Sequence, residues 1–161
     1  MAAATHLPSK LMKAQGSITS GQAINLSDST SGNFEALIVE VGTAIPNTGN
    51  TGIQFVADVT ASNTEVSYAG YARQALTGIT WAFGATGVVE WSFSQFGWAA
   101  NASDPGNVNR YIILYWKGVG SADATYPVVC VIDPGAVFSV ATASYNVASP
   151  AGGLIQFTGG G

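Results

Sequence analysis

From residue 34 onward the chain alternates short runs of β-branched and aromatic residues with Gly, Asn, Asp and Pro. That punctuation predicts strands joined by turns. Phe34–Val41 alternates weakly and reads as a strand, and Gly42–Gly52 reads as a loop around Pro46 and Asn47-Thr48-Gly49-Asn50. Ile53–Val59 reads as a short strand or one turn of helix. Tyr71–Gly78 and Ile79–Phe83 read as one strand or a bulged pair with the break at Gly78, and Val88–Phe93 as the next strand. Gly97–Asn109 is a polar loop with the turn signal Asp104-Pro105-Gly106. The two most apolar runs, Arg110–Trp116 and Val128–Ile132, are the expected centre of the fold, joined by a Gly/Ser/Asp connection over 118–125. Asp133-Pro134-Gly135 turns the chain again, and Val137–Val140 and Leu154–Phe157 complete the expected strands.

The pattern differs at the start. Pro8–Gln15 is the one helix candidate, with Pro8 suited to a first turn, Leu11 and Met12 on an apolar side, and Gly16 as a stop. Eight residues are too few for a helix that stands alone, so this segment needs a surface to dock on. The expected organisation is an N-terminal arm over 1–20, helical or extended, a β domain over 21–158 and a short Gly tail over 159–161. Closely spaced strands without long helices predict an all-β fold, an antiparallel sandwich or barrel.

Composition narrows the function. Charged residues are 9% of the chain against about a quarter in an ordinary domain. The formal charge is −4, from five Lys and Arg against nine Asp and Glu. Without clustered cations nucleic acid is not an expected partner. Seven Phe, six Tyr and four Trp supply a core despite the low charge. A surface so poor in charge is suited to being covered by a partner. No apolar run approaches the roughly 20 residues of a membrane helix, and the opening residues carry no basic stretch followed by an apolar run, so neither a membrane span nor a secretory signal is read. Cys130 has no second cysteine to pair with, and within Val-Val-Cys-Val-Ile it reads as a small buried hydrophobe.

Candidate chemistry is sparse. One His, His6, and one Cys cannot build the common zinc sites or a Ser-His-Asp triad near the predicted strands. Glu35 and Glu40, five apart on one strand, face opposite sides of the sheet. Asp58 and Glu65 flank a loop and form the one carboxylate pair with a route to an acid–base or calcium role, but no calcium loop motif surrounds them. Asp123 and Asp133 read as turn residues. The expectation is therefore a protein without catalytic residues, metal or cofactor. Arg73 and Arg110 each open an apolar or aromatic strand and need partners if buried, with Glu65 or Asp58 as candidates. Glu65, Tyr71, Arg73, Arg110 and Tyr111 are the candidate ion-pair and aromatic positions, and Leu7, Lys10, Leu11, Met12 and Lys13 the candidate assembly residues of the arm. Trp81, Trp91, Trp98 and Trp116 with Tyr68, Tyr71 and Tyr115 offer a rival reading as a sugar-stacking platform, although core packing explains them as well.

The order of landmarks carries a resemblance. Ile24–Thr30 precedes the Phe34 strand; Glu65-Val66 leads to Gly70-Tyr71-Ala72-Arg73-Gln74; then come Val89–Phe93, Arg110-Tyr111-Ile112-Ile113-Leu114-Tyr115, Pro127–Asp133 and Gly153–Thr158. The chain resembles a group of small tailed-bacteriophage virion proteins with the patterns Glu-Val-x-x-x-Gly-Tyr-x-Arg-Gln and Arg-Tyr followed by three apolar residues and Tyr. It departs from them at Tyr68-Ala69, where a Gly is usual, and at Ser92–Gln95, where acids are usual. The resemblance implies an all-β fold and a place on the capsid or tail as a decoration or minor structural subunit. With the short arm and the low-charge surface, the leading expectation is a capsid decoration protein, made in the host cytoplasm and carried on the virion surface. Its expected partners are the major capsid protein and copies of itself, as a trimer, with the arm over 1–20 reaching onto a neighbouring subunit or the shell. A tail or baseplate subunit is the nearest alternative, and a carbohydrate-binding adhesin a more distant one.

Overall fold

A computed structural model of the chain describes residues 4–6, 24–40, 55–61, 63–83, 88–106, 110–118, 120–151 and 153–158. The strands in chain order are β1 (Ala4–His6), β2 (Phe34–Glu40), β3 (Thr64–Glu65), β4 (Gln74–Ala75), β5 (Thr80–Phe83) and β6 (Val88–Ser92), followed by β7 (Phe96–Trp98), β8 (Arg110–Trp116), β9 (Val128–Asp133), β10 (Tyr145–Val147) and β11 (Ile155–Thr158). A single short helix, α1 (Val56–Thr60), is present among the described residues. The fold is all-β, and every strand pair is antiparallel.

The main sheet runs β1-β9-β8-β2-β3, with β4 also on β2; β11-β6-β5 and β10-β7 form two smaller sheets. β2 and β8 pair along their whole length, from Phe34 opposite Trp116 to Glu40 opposite Arg110. Both faces of this central pair are buried. Phe34, Ala36, Ile38, Ile112, Leu114 and Trp116 pack with Trp91, Phe93, Phe96, Trp98 and Ile155. On the other face Leu37, Val39, Ile113, Tyr115, Val128 and Val131 pack with Val56 and Val59 of α1. A strand covered on both sides has no solvent face to keep polar, so β8 and β9 read as continuous apolar runs rather than as alternating ones. A bulge tunes the register: Leu114 lies opposite Cys130 and Tyr115 opposite Val128, leaving Val129 as the extra residue. Val129 and Cys130 thereby join the first core while Val128 and Val131 join the second.

The second edge of β2 is shared by two very short strands, β3 beside Val39-Glu40 and β4 beside Glu35-Ala36. Between them the Tyr71 hydroxyl replaces a strand residue, accepting the N–H of Ile38 at 3.0 Å. Because Ile38 is fully buried, this bond supplies an acceptor that water cannot.

Several expected elements are relocated. Of the segment expected over 53–59, residues 53 and 54 lie outside the described residues and Val56 onward forms helix α1, whose N-terminal turn is closed by Asp58 accepting the N–H of Phe55 at 2.9 Å. Gly78 adopts φ of +59° between β4 and β5, the left-handed conformation that glycine takes without a Cβ penalty. Val137–Val140 is not a strand, because its backbone is claimed elsewhere: Val140 N–H donates to the Asp104 carboxylate and Val140 C=O accepts from Asn101. An unexpected pairing is made instead by β10 on β7, which overlaps the start of what reads in sequence as a polar loop. Gly97 makes this pairing possible, since a Cβ there would sit 2.3 Å from the Tyr145 carbonyl oxygen. The helix candidate over 8–15, the loop over 42–52 and the tail over 159–161 lie outside the described residues.

Candidate functional site

Two arginine-centred networks gather most of the ionisable groups. The first is built on β3, the segment before β4, β8 and the connection from β8 to β9. Arg73 lies just ahead of β4 and reaches Glu65 of β3 with two bonds, Nε to Oε1 at 2.9 Å and Nη2 to Oε2 at 2.6 Å. It makes a second forked contact with Asp123, Nη1 to Oδ1 at 2.7 Å and Nη2 to Oδ2 at 2.8 Å. Nη1 also donates to the Tyr115 hydroxyl at 3.3 Å, and the guanidinium carbon stands 5.5 Å from that ring's centre. All five N–H donors of Arg73 are thereby occupied. The Asp123 and Glu65 bonds raise the Arg73 pKa far above its ordinary value, against the effect of burial. Arg73 in turn lowers the Asp123 pKa.

The network continues outward. Tyr71 donates its hydroxyl proton to Glu65 at 3.1 Å while accepting from Ile38. Tyr115 donates to Glu35, whose other oxygen accepts from Lys117 at 2.7 Å. Burial first, and then the neighbouring carboxylates, push both tyrosine hydroxyls far up, so they remain protonated donors. Tyr126 stacks on Tyr115 with ring centres 5.8 Å apart, and its carbonyl accepts from Val56 of α1. Asp123 therefore straps the β8–β9 connection down onto the sheet and helix.

The second network is deeper. The Arg110 and Asp104 side chains have no solvent exposure. Arg110 Nη2 meets Asp104 Oδ1 at 2.6 Å and Nη1 meets Oδ2 at 2.8 Å, a forked pair, while Nη2 also reaches Glu40 at 3.0 Å. Asp104 accepts further bonds from Val140 N–H at 2.7 Å and Ser139 Oγ at 3.1 Å. Its oxygens are so well supplied, Arg110 first, that its pKa falls to about 2 although burial alone would raise it. Phe138 lies against the guanidinium at 5.9 Å and stacks on Tyr145. Arg110 Nε is buried without a protein acceptor.

A cleft of about 230 Å³ opens beside this network, lined by Arg110, Tyr111, Asp133, Gly135 and Ala136. The Tyr111 hydroxyl is hydrogen-bonded to Asp133, and burial raises its pKa. Asp133 also accepts the N–H of Gly135 at 2.7 Å, closing the expected turn.

The structure thus brings Glu65, Tyr71 and Arg73 into one cluster and places Arg110 in another, with Tyr111 adjacent to the latter. Leu7, Lys10, Leu11, Met12 and Lys13 lie outside the described residues. Asp58 and Glu65, the carboxylate pair of the sequence reading, serve different partners: Asp58 caps α1 and Glu65 holds Arg73. Asp123 is more than a turn residue, and Asp104 combines its turn with the buried ion pair. No sequence pattern marks either role: Asp104-Pro105-Gly106 is a sufficient turn signal by itself, and Asp123 sits in the Gly/Ser/Asp connection over 118–125 with no motif around it. Asp28 was also missed; it accepts the Trp116 indole N–H at 2.9 Å. Burial opposes ionisation of Asp28, but bonds from Trp116, Thr30 and Asn33 outweigh it and bring its pKa to about 2.

The tryptophans are mostly interior. Trp91, Trp98 and Trp116 are at most 5% exposed, and their indole N–H groups donate to Leu26 C=O, Ala72 C=O and Asp28. Cys130 is fully buried and its thiol pKa is pushed far up by that burial. Among the described residues no group of three or more His, Cys, Asp or Glu is placed to hold a metal ion, and no helix is long and apolar enough to cross a membrane.

Together these features define an antiparallel all-β protein in which most of the ionisable groups among the described residues are tied into its own scaffold. No protein-family model, curated protein or solved structure matches the chain.

Proposed function

We propose that this protein is a non-enzymatic structural subunit of a tailed-phage virion, a capsid decoration protein that binds the shell protein and copies of itself. The observation that carries the proposal is where the charges go. Of nine carboxylates, eight bond within the chain: Asp28, Glu35, Glu40, Asp58, Glu65, Asp104, Asp123 and Asp133. Arg73, Arg110 and Lys117 are their cationic partners. A general acid or base needs a carboxyl or imidazole free to exchange protons with a substrate; these groups are engaged by fixed donors of the chain itself instead. What remains for partners is neutral polar surface and backbone edges, since Val137 is the one large apolar side chain more than half exposed among the described residues. Contacts of that kind work by area and shape. The order of the motifs at 65–74 and 110–115 supplies the virion assignment.

Three interior tryptophans weigh against a sugar platform, which needs exposed ring faces. A tail or baseplate position uses the same surface properties. Co-sedimentation of the purified protein with empty shells of the phage that encodes it separates these readings. Saturable binding, lost on deletion of residues 1–20 and little changed between 0.1 M and 1 M salt, is the expected result. Binding to tails alone would move the protein to the tail, and binding to neither would remove it from the virion surface.

A further inference from the structure

We infer that the outer edge of β9 is a strand-acceptor site, filled in the assembled protein by Ala4–His6 of a second copy. The chain itself shows what fits the site. β1 pairs antiparallel with β9, Ala4 opposite Asp133, Thr5 opposite Ile132 and His6 opposite Val131. β1 is the last strand of the main sheet on that side, and without it the N–H and C=O groups of 131–133 would form an open edge, a template for another strand.

Four features make this strand exchangeable. It is only three residues long, so its attachment is roughly two to four backbone hydrogen bonds. It is joined to the described body at Ile24 through residues 7–23, a stretch that can span at most about 60 Å. A folded chain of this size is roughly 40 Å across, so the tether is long enough to reach a neighbour's β9. Exchange keeps every residue pair and changes only which copy supplies it, the low-cost route to association that swapped elements provide. The sparse charge of the strands, with Asp133 already engaged by Gly135 and Tyr111, leaves little repulsion between copies. The opposite edge of the sheet is unsuited to this role, because β2 is already covered by β3, β4 and the Tyr71 hydroxyl.

This inference deepens the assembly reading and rests on its premise that copies of the chain meet. Two tagged full-length variants, Ala4→Cys and Asp133→Cys, test it when mixed and mildly oxidised. Cys130 is fully buried and stays out of the exchange. The expected product is a disulfide joining the two tags in a share of the chains approaching about half, the ceiling for random 1:1 mixing of exchanged copies. A chain carrying both substitutions that yields only internally linked monomer, with no product joining tags in the mixture, would overturn the inference. Light scattering provides a readout that does not depend on Asp133: deleting residues 1–6 is expected to weaken self-association at least tenfold. An oligomer of unchanged size and affinity after the deletion sinks strand exchange and leaves the assembly reading standing. A full-length chain that is monomeric at every concentration sinks both.

Discussion

Arg73 and Arg110 do similar work at different depths. Each begins or precedes a strand, forks onto a loop carboxylate (Asp123, 50 residues away, for Arg73; Asp104, six residues away, for Arg110) and takes a second carboxylate from a neighbouring strand. Arg73 keeps 26% of its side chain in solvent and has every donor filled; Arg110 is sealed and leaves Nε without a protein acceptor. Around Arg73, water can replace a lost partner, so the network acts as a clasp on the β8–β9 connection. Around Arg110 it cannot, so the pair with Asp104 is an obligate unit whose members are costly apart. Burying such a pair does not by itself make a fold more stable than an apolar core would. Its effect here is positional: Asp104 fixes Ser139 and Val140 against the sheet and leaves 137–140 unable to form a strand.

The largest effect is expected from Arg110→Met, which strands Asp104 in the interior. It should cost about 3–5 kcal/mol and lower Tm by roughly 10 °C in calorimetry. Adding Asp104→Asn should recover part of that loss, and additive losses would show that the two side chains are not a unit.

Acid should reveal the same pair. The folded Asp104 pKa of about 2 lies below its ordinary 3.8, so the stability it contributes is complete above about pH 5 and is lost as pH falls toward 2. The contribution is about 2 kcal/mol, with Asp28 acting in the same direction over the same range. Urea titrations from pH 6 to 2 should show a shallower decline in Asp104→Asn than in the parent; parallel curves would contradict the assignment.

On the Arg73 side, Tyr71→Phe removes the acceptor for the buried Ile38 N–H and should cost about 1–3 kcal/mol by chemical denaturation. Arg73→Ala is expected to cost less, about 1–2 kcal/mol, because its partners are partly solvated. The cost of Arg73→Ala should shrink in 1 M salt, whereas the cost of Arg110→Met should not. Equal salt dependence at both sites would erase the distinction between clasp and buried unit.

The sequence carried much of the fold. β2, β8 and β9 were legible because their apolar runs are long and bounded by turn residues, and β6 and β11 for the same reason. β10 was not, since Tyr145-Asn146-Val147 is too short to show a period and owes its pairing to the missing side chain at Gly97. Helix α1 has only five residues, fewer than any helical period needs to declare itself. Of the arginine networks, the need for partners could be deduced from two cations in apolar strands, and Glu65 was near enough to nominate for Arg73. Asp104 and Asp123 could not be nominated, because a turn accounts for each locally and the contact that matters is set by how the loop folds back. β1 is another such case: nothing in Ala-Thr-His announces a strand, and the edge of β9 supplies the reason for one.

The proposed role makes the molecule one part of a larger particle. The most direct measurement is its copy number relative to the shell protein in gradient-purified particles, by quantitative mass spectrometry. Abundance in a fixed ratio to the shell protein is the predicted result. Its absence from particles in which the shell protein is intact would contradict the proposal.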